Sequence, residues 1–131
     1  ELRDKTIAVL GVTFKSNTDD LRDSPSMELI PNLLEYGARV RVYDPKGMCE
    51  ASKMFDIYCA NNVYEAATGA DVAVIMTEWK EFGPESISLQ KLKENLKFPV
   101  LIDFRNMFEP EYVADHGITY VSIGRNIAYP E

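Results

Sequence analysis

Two periods alternate along this chain: short apolar runs of strand type, and longer stretches in which apolar residues recur every three or four positions. Ile7 to Leu10 is a continuous apolar run closed by Gly11, which predicts a strand over residues 6–11, buried on both faces. Over residues 24–36, Met27, Ile30, Leu33 and Leu34 keep a helical spacing. Ser24-Pro25 should open this helix, because the serine hydroxyl can accept from free amides and proline lacks only an amide that has no partner there; Gly37 should end it. Pro31 strains that reading. It should kink the helix, unless the helix starts later and Pro31 lies near its first turn.

The same reading carries through the chain. Residues 1–5 are charged and non-periodic, the end of a linker, and residues 6–131 form one domain. Strands are expected at 39–43, 57–60, 71–77, 100–104 and 119–123, and helices at 48–55, 63–68, around Leu89, Leu92 and Leu96, and at 111–115. Strands alternating with helices in this way predict an α/β fold, a mostly parallel sheet with helices on both faces. In such a sheet the loops after the strand carboxyl ends line the ligand crevice.

Composition narrows the partners. With 14 basic against 21 acidic residues and a formal net charge of −7, the chain is a poor match to nucleic acid or an anionic membrane. Cys49 and Cys59 fit neither a CxxC motif nor a dense disulfide framework, so two thiols in a reducing cytoplasm are expected. No apolar stretch is long enough to span a membrane and no signal peptide opens the chain. The first residue is Glu1, not methionine, which reads as a fragment or a processed product.

The informative residues follow strand ends: Phe14, Lys15 and Arg22 after the first, Asp44 after the second, Trp79 and Phe82 after the 71–77 strand, Arg105 and Arg125 after the last two. Cations and rings on one rim of an acidic protein suit an anionic ligand with a flat ring, such as a nucleoside diphosphate. Each has a plainer alternative. Lys15 and Arg22 could pair with Asp19, Asp20 or Asp23, and Arg105 and Arg125 could bond strand-end carbonyls or solvent. Trp79 and Phe82 read more readily as lids on the core than as stacking platforms, and Asp44 as a turn residue more than a ribose-binding acid. His116 reads as a surface residue, and the cysteines as structural.

The first strand leads into GVTFKS, which is neither GxGxxG nor GxxxxGK[ST], so the domain should not hold NAD alone. One histidine and scattered cysteines predict no metal site, and no nucleophile and base pair is visible. The chain reads as a binding half of something larger.

Gly11-Val-Thr-Phe-Lys-Ser-Asn-Thr-Asp-Asp-Leu-Arg-Asp-Ser-Pro25, with Val40-Arg-Val-Tyr-Asp-Pro45, Ala70-Asp-Val-Ala-Val, Thr77-Glu-Trp-Lys-Glu-Phe82 and Asp103-Phe-Arg-Asn106, resembles the C-terminal domain of the nucleotide-sugar 6-dehydrogenases. This is the family of UDP-glucose and GDP-mannose dehydrogenases, and the resemblance spans essentially the whole chain. It implies a Rossmann-like three-layer sandwich that binds the UDP part of a UDP-sugar. It further implies an N-terminal NAD-binding domain and a central helix that makes a homodimer, neither of them in these residues. On the family pattern, Phe14 and Lys15 contact the UDP-sugar, Arg105 binds substrate from the same or a neighbouring subunit, and Arg22 reaches NAD held by the other domain.

The reaction implied is a four-electron oxidation of a sugar C6 hydroxyl to a carboxylate with two NAD, through a cysteine that neither Cys49 nor Cys59 matches; this stretch alone should be inactive. Thr77-Glu78-Trp79 is more like the members acting on UDP-glucose than those acting on N-acetylated sugars. UDP-N-acetylmannosamine and GDP-mannose remain alternatives, as does a stand-alone interaction module that uses its acidic surface.

Overall fold

The run that opens the pattern becomes the centre of the molecule. In the structure, a computed structural model that describes residues 2–13 and 20–131 (Met48 and Cys49 by backbone only), β1 (Thr6–Leu10) pairs on both sides. To one side lie β2 (Arg39–Tyr43) and β3 (Tyr58–Cys59); to the other β4 (Val72–Ile75), β5 (Val100–Asp103) and β6 (Thr119–Ser122). The order is β3-β2-β1-β4-β5-β6 and every strand pair is parallel, so "mostly parallel" becomes entirely so. Ala128 adds a single antiparallel bridge to Tyr120.

Alternate residues of β1 enter two separate cores, which shows helices on both faces. Ala8 and Leu10 join the side that carries α3 (Val63–Ala67), α4 (Leu89–Asn95) and α5 (Pro110–Asp115). Ile7 and Val9 join the side that carries α1 (Ser26–Glu35) and α2 (Met48–Met54). A fully buried side chain such as Leu10 contributes on the order of 2 kcal/mol by leaving water. Coverage is uneven over β5 and β6. Leu101 and Tyr120 are fully buried on the first face, whereas Val100, Ile102, Thr119 and Val121 on the second are only half-buried.

The helix over 24–36 opens where Ser24-Pro25 predicts. The Ser26 amide donates to Ser24 Oγ at 3.2 Å and the Met27 amide to the Ser24 carbonyl at 3.0 Å. Gly37 closes it at φ 93°, a left-handed conformation that a side chain would strain. Pro31 lies inside α1, and the helix does not start later to accommodate it. Its missing amide removes one rung from the ladder, and the helix runs on to Glu35.

Candidate functional site

The carboxyl edge of the sheet is built by two carboxylates that hold loop backbone. Asp44, just past β2, is 1% exposed. One of its oxygens accepts from the Val12 amide at 2.7 Å and the Thr13 amide at 3.2 Å, while the other accepts from the Lys46 amide at 2.8 Å and the Gly47 amide at 2.6 Å. The turn reading therefore holds, and the ribose-binding reading does not: both oxygens are engaged by the chain's own amides. Asp44 also ties the turn after β2 to the segment that leads into Phe14. Gly47 permits that approach, since a Cβ there would lie 2.6 Å from Thr13 Cγ2.

Asp103, the last residue of β5, is fully buried. It accepts from the amides of Arg105 and Met107, both at 2.8 Å, and from the Tyr120 hydroxyl at 2.6 Å. Burial, and then the hydrogen bond to Asp103, hold the Tyr120 phenol well above its ordinary titration range. With its proton committed to Asp103, the phenol oxygen accepts from Arg125 Nη2 at 3.1 Å. Arg125 Nε donates to Ser122 Oγ at 2.9 Å, so Arg125 settles on hydroxyls where strand-end carbonyls or solvent were the plainer expectation. Asn106 completes the corner. Its side-chain amide donates to the Ile123 carbonyl and its side-chain oxygen accepts from the Ile123 amide, both at 2.9 Å, at a left-handed φ of 52° that asparagine tolerates.

Between these fixed points stands Arg105. Its guanidinium donates to Glu78 at 3.0 Å with a third of its side chain exposed, a carboxylate partner in the β4 loop where carbonyls or solvent were expected. The other Glu78 oxygen and the Trp79 indole N–H are buried, with no partner among the described residues. Trp79 and Phe82 are lids on the larger core, at 6% and 0% exposure, as the plainer reading has it. Tyr43 packs edge-on against Phe82 with centroids 6.1 Å apart and donates to Glu81 at 2.8 Å; burial, then that bond, push its phenol up to about 12.

Arg22 is forked onto Asp20, Nε and Nη2 each 3.0 Å from a carboxylate oxygen, with 87% of its side chain in water. The hydrogen bond to Asp20, then its charge, raise the already high pKa of the guanidinium. One of the pairings foreseen for Arg22 is thus realised. Beside it a cavity of about 410 Å³ is lined by Asp20, Asp23, Met27, Glu50 and Met54. Phe14 and Lys15 lie outside the described residues, as does Asp19. A larger cavity of about 580 Å³ lies at the opposite edge, where Glu111, Asp115 and Glu131 offer only acid. His116 is exposed, its ring 4.7 Å from that of Tyr112, and Cys59 carries a half-buried thiol. Among the described residues no cluster of three metal-ligating side chains occurs, and no helix is long and apolar enough to cross a membrane.

A doubly wound parallel sheet whose carboxyl edge presents cations on braced loops is a Rossmann-like domain suited to an anionic ligand. The chain belongs to the UDP-glucose/GDP-mannose dehydrogenase family, whose UDP binding domain matches residues 8–110. It is 48% identical over 126 residues to a UDP-glucose 6-dehydrogenase of Rhizobium meliloti (strain 1021), covering 95% of this chain and 28% of that protein. It is 40% identical over 126 residues to the UDP-glucose 6-dehydrogenase TuaD of Bacillus subtilis (strain 168), with 95% and 27% covered. Among solved structures, an NDP-N-acetyl-D-galactosaminuronic acid dehydrogenase from Methanosarcina mazei superposes with a TM-score of 0.81 at 28% identity, over 95% of this chain and 26% of that one. The chain thus spans little more than a quarter of the length of the relatives it matches.

Proposed function

We propose that this chain is the C-terminal, UDP-binding domain of a longer NAD-dependent UDP-glucose 6-dehydrogenase, which oxidises UDP-glucose to UDP-glucuronate. The observation that carries this reading is the 48% identity to a UDP-glucose 6-dehydrogenase over 126 residues, 95% of the chain. The half-covered face of β5 and β6 supports it too, because a parallel sheet is normally packed on both sides. In this reading Arg105 binds the UDP-sugar with Phe14 and Lys15. A forked guanidinium suits phosphate oxygens, and Arg105 would exchange Glu78 for them.

The family uses NAD. This chain does not fit an NAD cradle of its own: Asp44, at the strand end where a ribose-binding acid belongs, has both oxygens on backbone amides. NAD would be held by a preceding domain, with Arg22 reaching it after leaving Asp20. A homodimer made through a central helix, and a cytoplasmic site that keeps Cys49 and Cys59 reduced, complete the proposal.

The test is NADH formation by the complete gene product offered UDP-glucose, UDP-N-acetylmannosamine and GDP-mannose in turn. About two NADH per UDP-glucose is the expected result for a four-electron oxidation to a carboxylate. Turnover of another sugar would overturn the substrate and keep the domain; no turnover of any would favour a non-catalytic interaction module. In the active enzyme, Lys15→Ala and Arg105→Ala should each raise KM about tenfold or more, the cost of one charge-assisted contact.

A further inference from the structure

The corner that carries Arg105 is fastened to β6 at two points, and neither point involves the arginine side chain. Asp103 accepts the Arg105 amide on one oxygen, and its other oxygen takes the Tyr120 hydroxyl from β6. One residue past the arginine, Asn106 makes a reciprocal pair of hydrogen bonds with the Ile123 backbone, just beyond β6. The backbone on either side of Arg105 is therefore fixed to the neighbouring strand, and the guanidinium, held on Glu78 with a third of the side chain exposed, is the part left to meet a ligand. We infer that Tyr120 and Asn106 are positioning residues for Arg105, so that β6 sets the affinity of the site for the anionic part of its substrate without touching it.

The chemistry of each residue fits this role. A phenylalanine would fill the Tyr120 site equally well, its ring 6.2 Å from Phe108, yet it would take one of two donors from a buried Asp103 oxygen and leave that oxygen with the Met107 amide alone. Asparagine tolerates a left-handed φ and offers a donor and an acceptor together on one short side chain. A guanidinium whose backbone is held loses less freedom on binding, which appears as affinity and not as turnover.

This inference rests on the reading of Arg105 as a substrate ligand, and the experiment separates the two. In the complete enzyme, with UDP-glucose as the probe, Tyr120→Phe and Asn106→Gly should each raise KM about fivefold while kcat stays within about twofold, the pattern of lost uniform binding. Glycine keeps the left-handed backbone available, so Asn106→Gly tests the idea even if Tyr120→Phe folds poorly. In an Arg105→Ala background neither change should raise KM further, because the group they position is gone. Effects that persist at full size in that background, or singles with wild-type KM, overturn the positioning role and leave the binding role of Arg105 intact. Wild-type KM for Arg105→Ala itself would overturn the binding role, and this inference with it.

Discussion

Asp44 and Asp103 stand at matching places in the two halves of the sheet, each buried at a strand carboxyl end, yet they are satisfied differently. Asp44 is surrounded by the chain's own backbone: four amides and the Thr13 hydroxyl close its shell. Asp103 takes two amides and then a phenol, and through that phenol it connects to Arg125. The first is a lock between two loops; the second is a lock with a side chain in it, and so can be altered without breaking backbone contacts. A site needs both: one half that does not move, and one half whose cation can be tuned.

The largest effect should come from removing the carboxylates themselves. Asp44→Ala strands four amides, three of them buried, and should cost about 4 kcal/mol in urea unfolding, against about 3 kcal/mol for Asp103→Ala, with an equal or reversed order breaking the comparison. Next comes Gly47→Ala, which pushes a methyl group into Thr13 and Leu21 and should cost about 2 kcal/mol by parting the loops Asp44 joins. The smallest effect separates the halves by pH. Tyr43 and Tyr120 both titrate higher folded than unfolded, so the stability they confer is complete below about pH 10 and is lost as pH rises through the folded values. For Tyr43 that window is pH 10 to about 12, and Tyr43→Phe should flatten the alkaline fall in melting temperature there. Tyr120→Phe should flatten it further into base; a fall that both variants leave unchanged would mean that other groups govern it.

The fold was legible because its elements are periodic. The strand positions, the Ser24-Pro25 start and the Gly37 stop all follow from local chemistry, and what moved were element ends: the 71–77 run contracts to Val72–Ile75, the 57–60 run to Tyr58–Cys59, and the helices shift by a residue or two. The bracing of the site was not legible. Asp44 reaches amides 31 and 32 positions away, and an amide carries no residue identity that a sequence could reveal. Tyr120 reads as one more apolar residue of a strand, and the signal that it needs a partner appears only once its burial is known. Arg105 pairs with Glu78, 27 positions away, a contact made by β4 and β5 lying side by side and not by any spacing in the chain. Asp-Phe-Arg-Asn at 103–106 was visible as a motif. Why its first and last residues matter was not.

The strand order also sets a timetable for synthesis. β1 emerges first and ends in the middle of the sheet, where the Thr6 amide meets a carboxylate of Asp71, 65 positions later in the chain. Until that later stretch has left the ribosome, one whole edge of this central strand has no partner. Loops of that length close slowly, and parallel pairing over such distances is exposed to aggregation while it waits. The nascent chain can shelter β1 meanwhile by laying β2 and α1 against it, an early half-sheet onto which the rest is added.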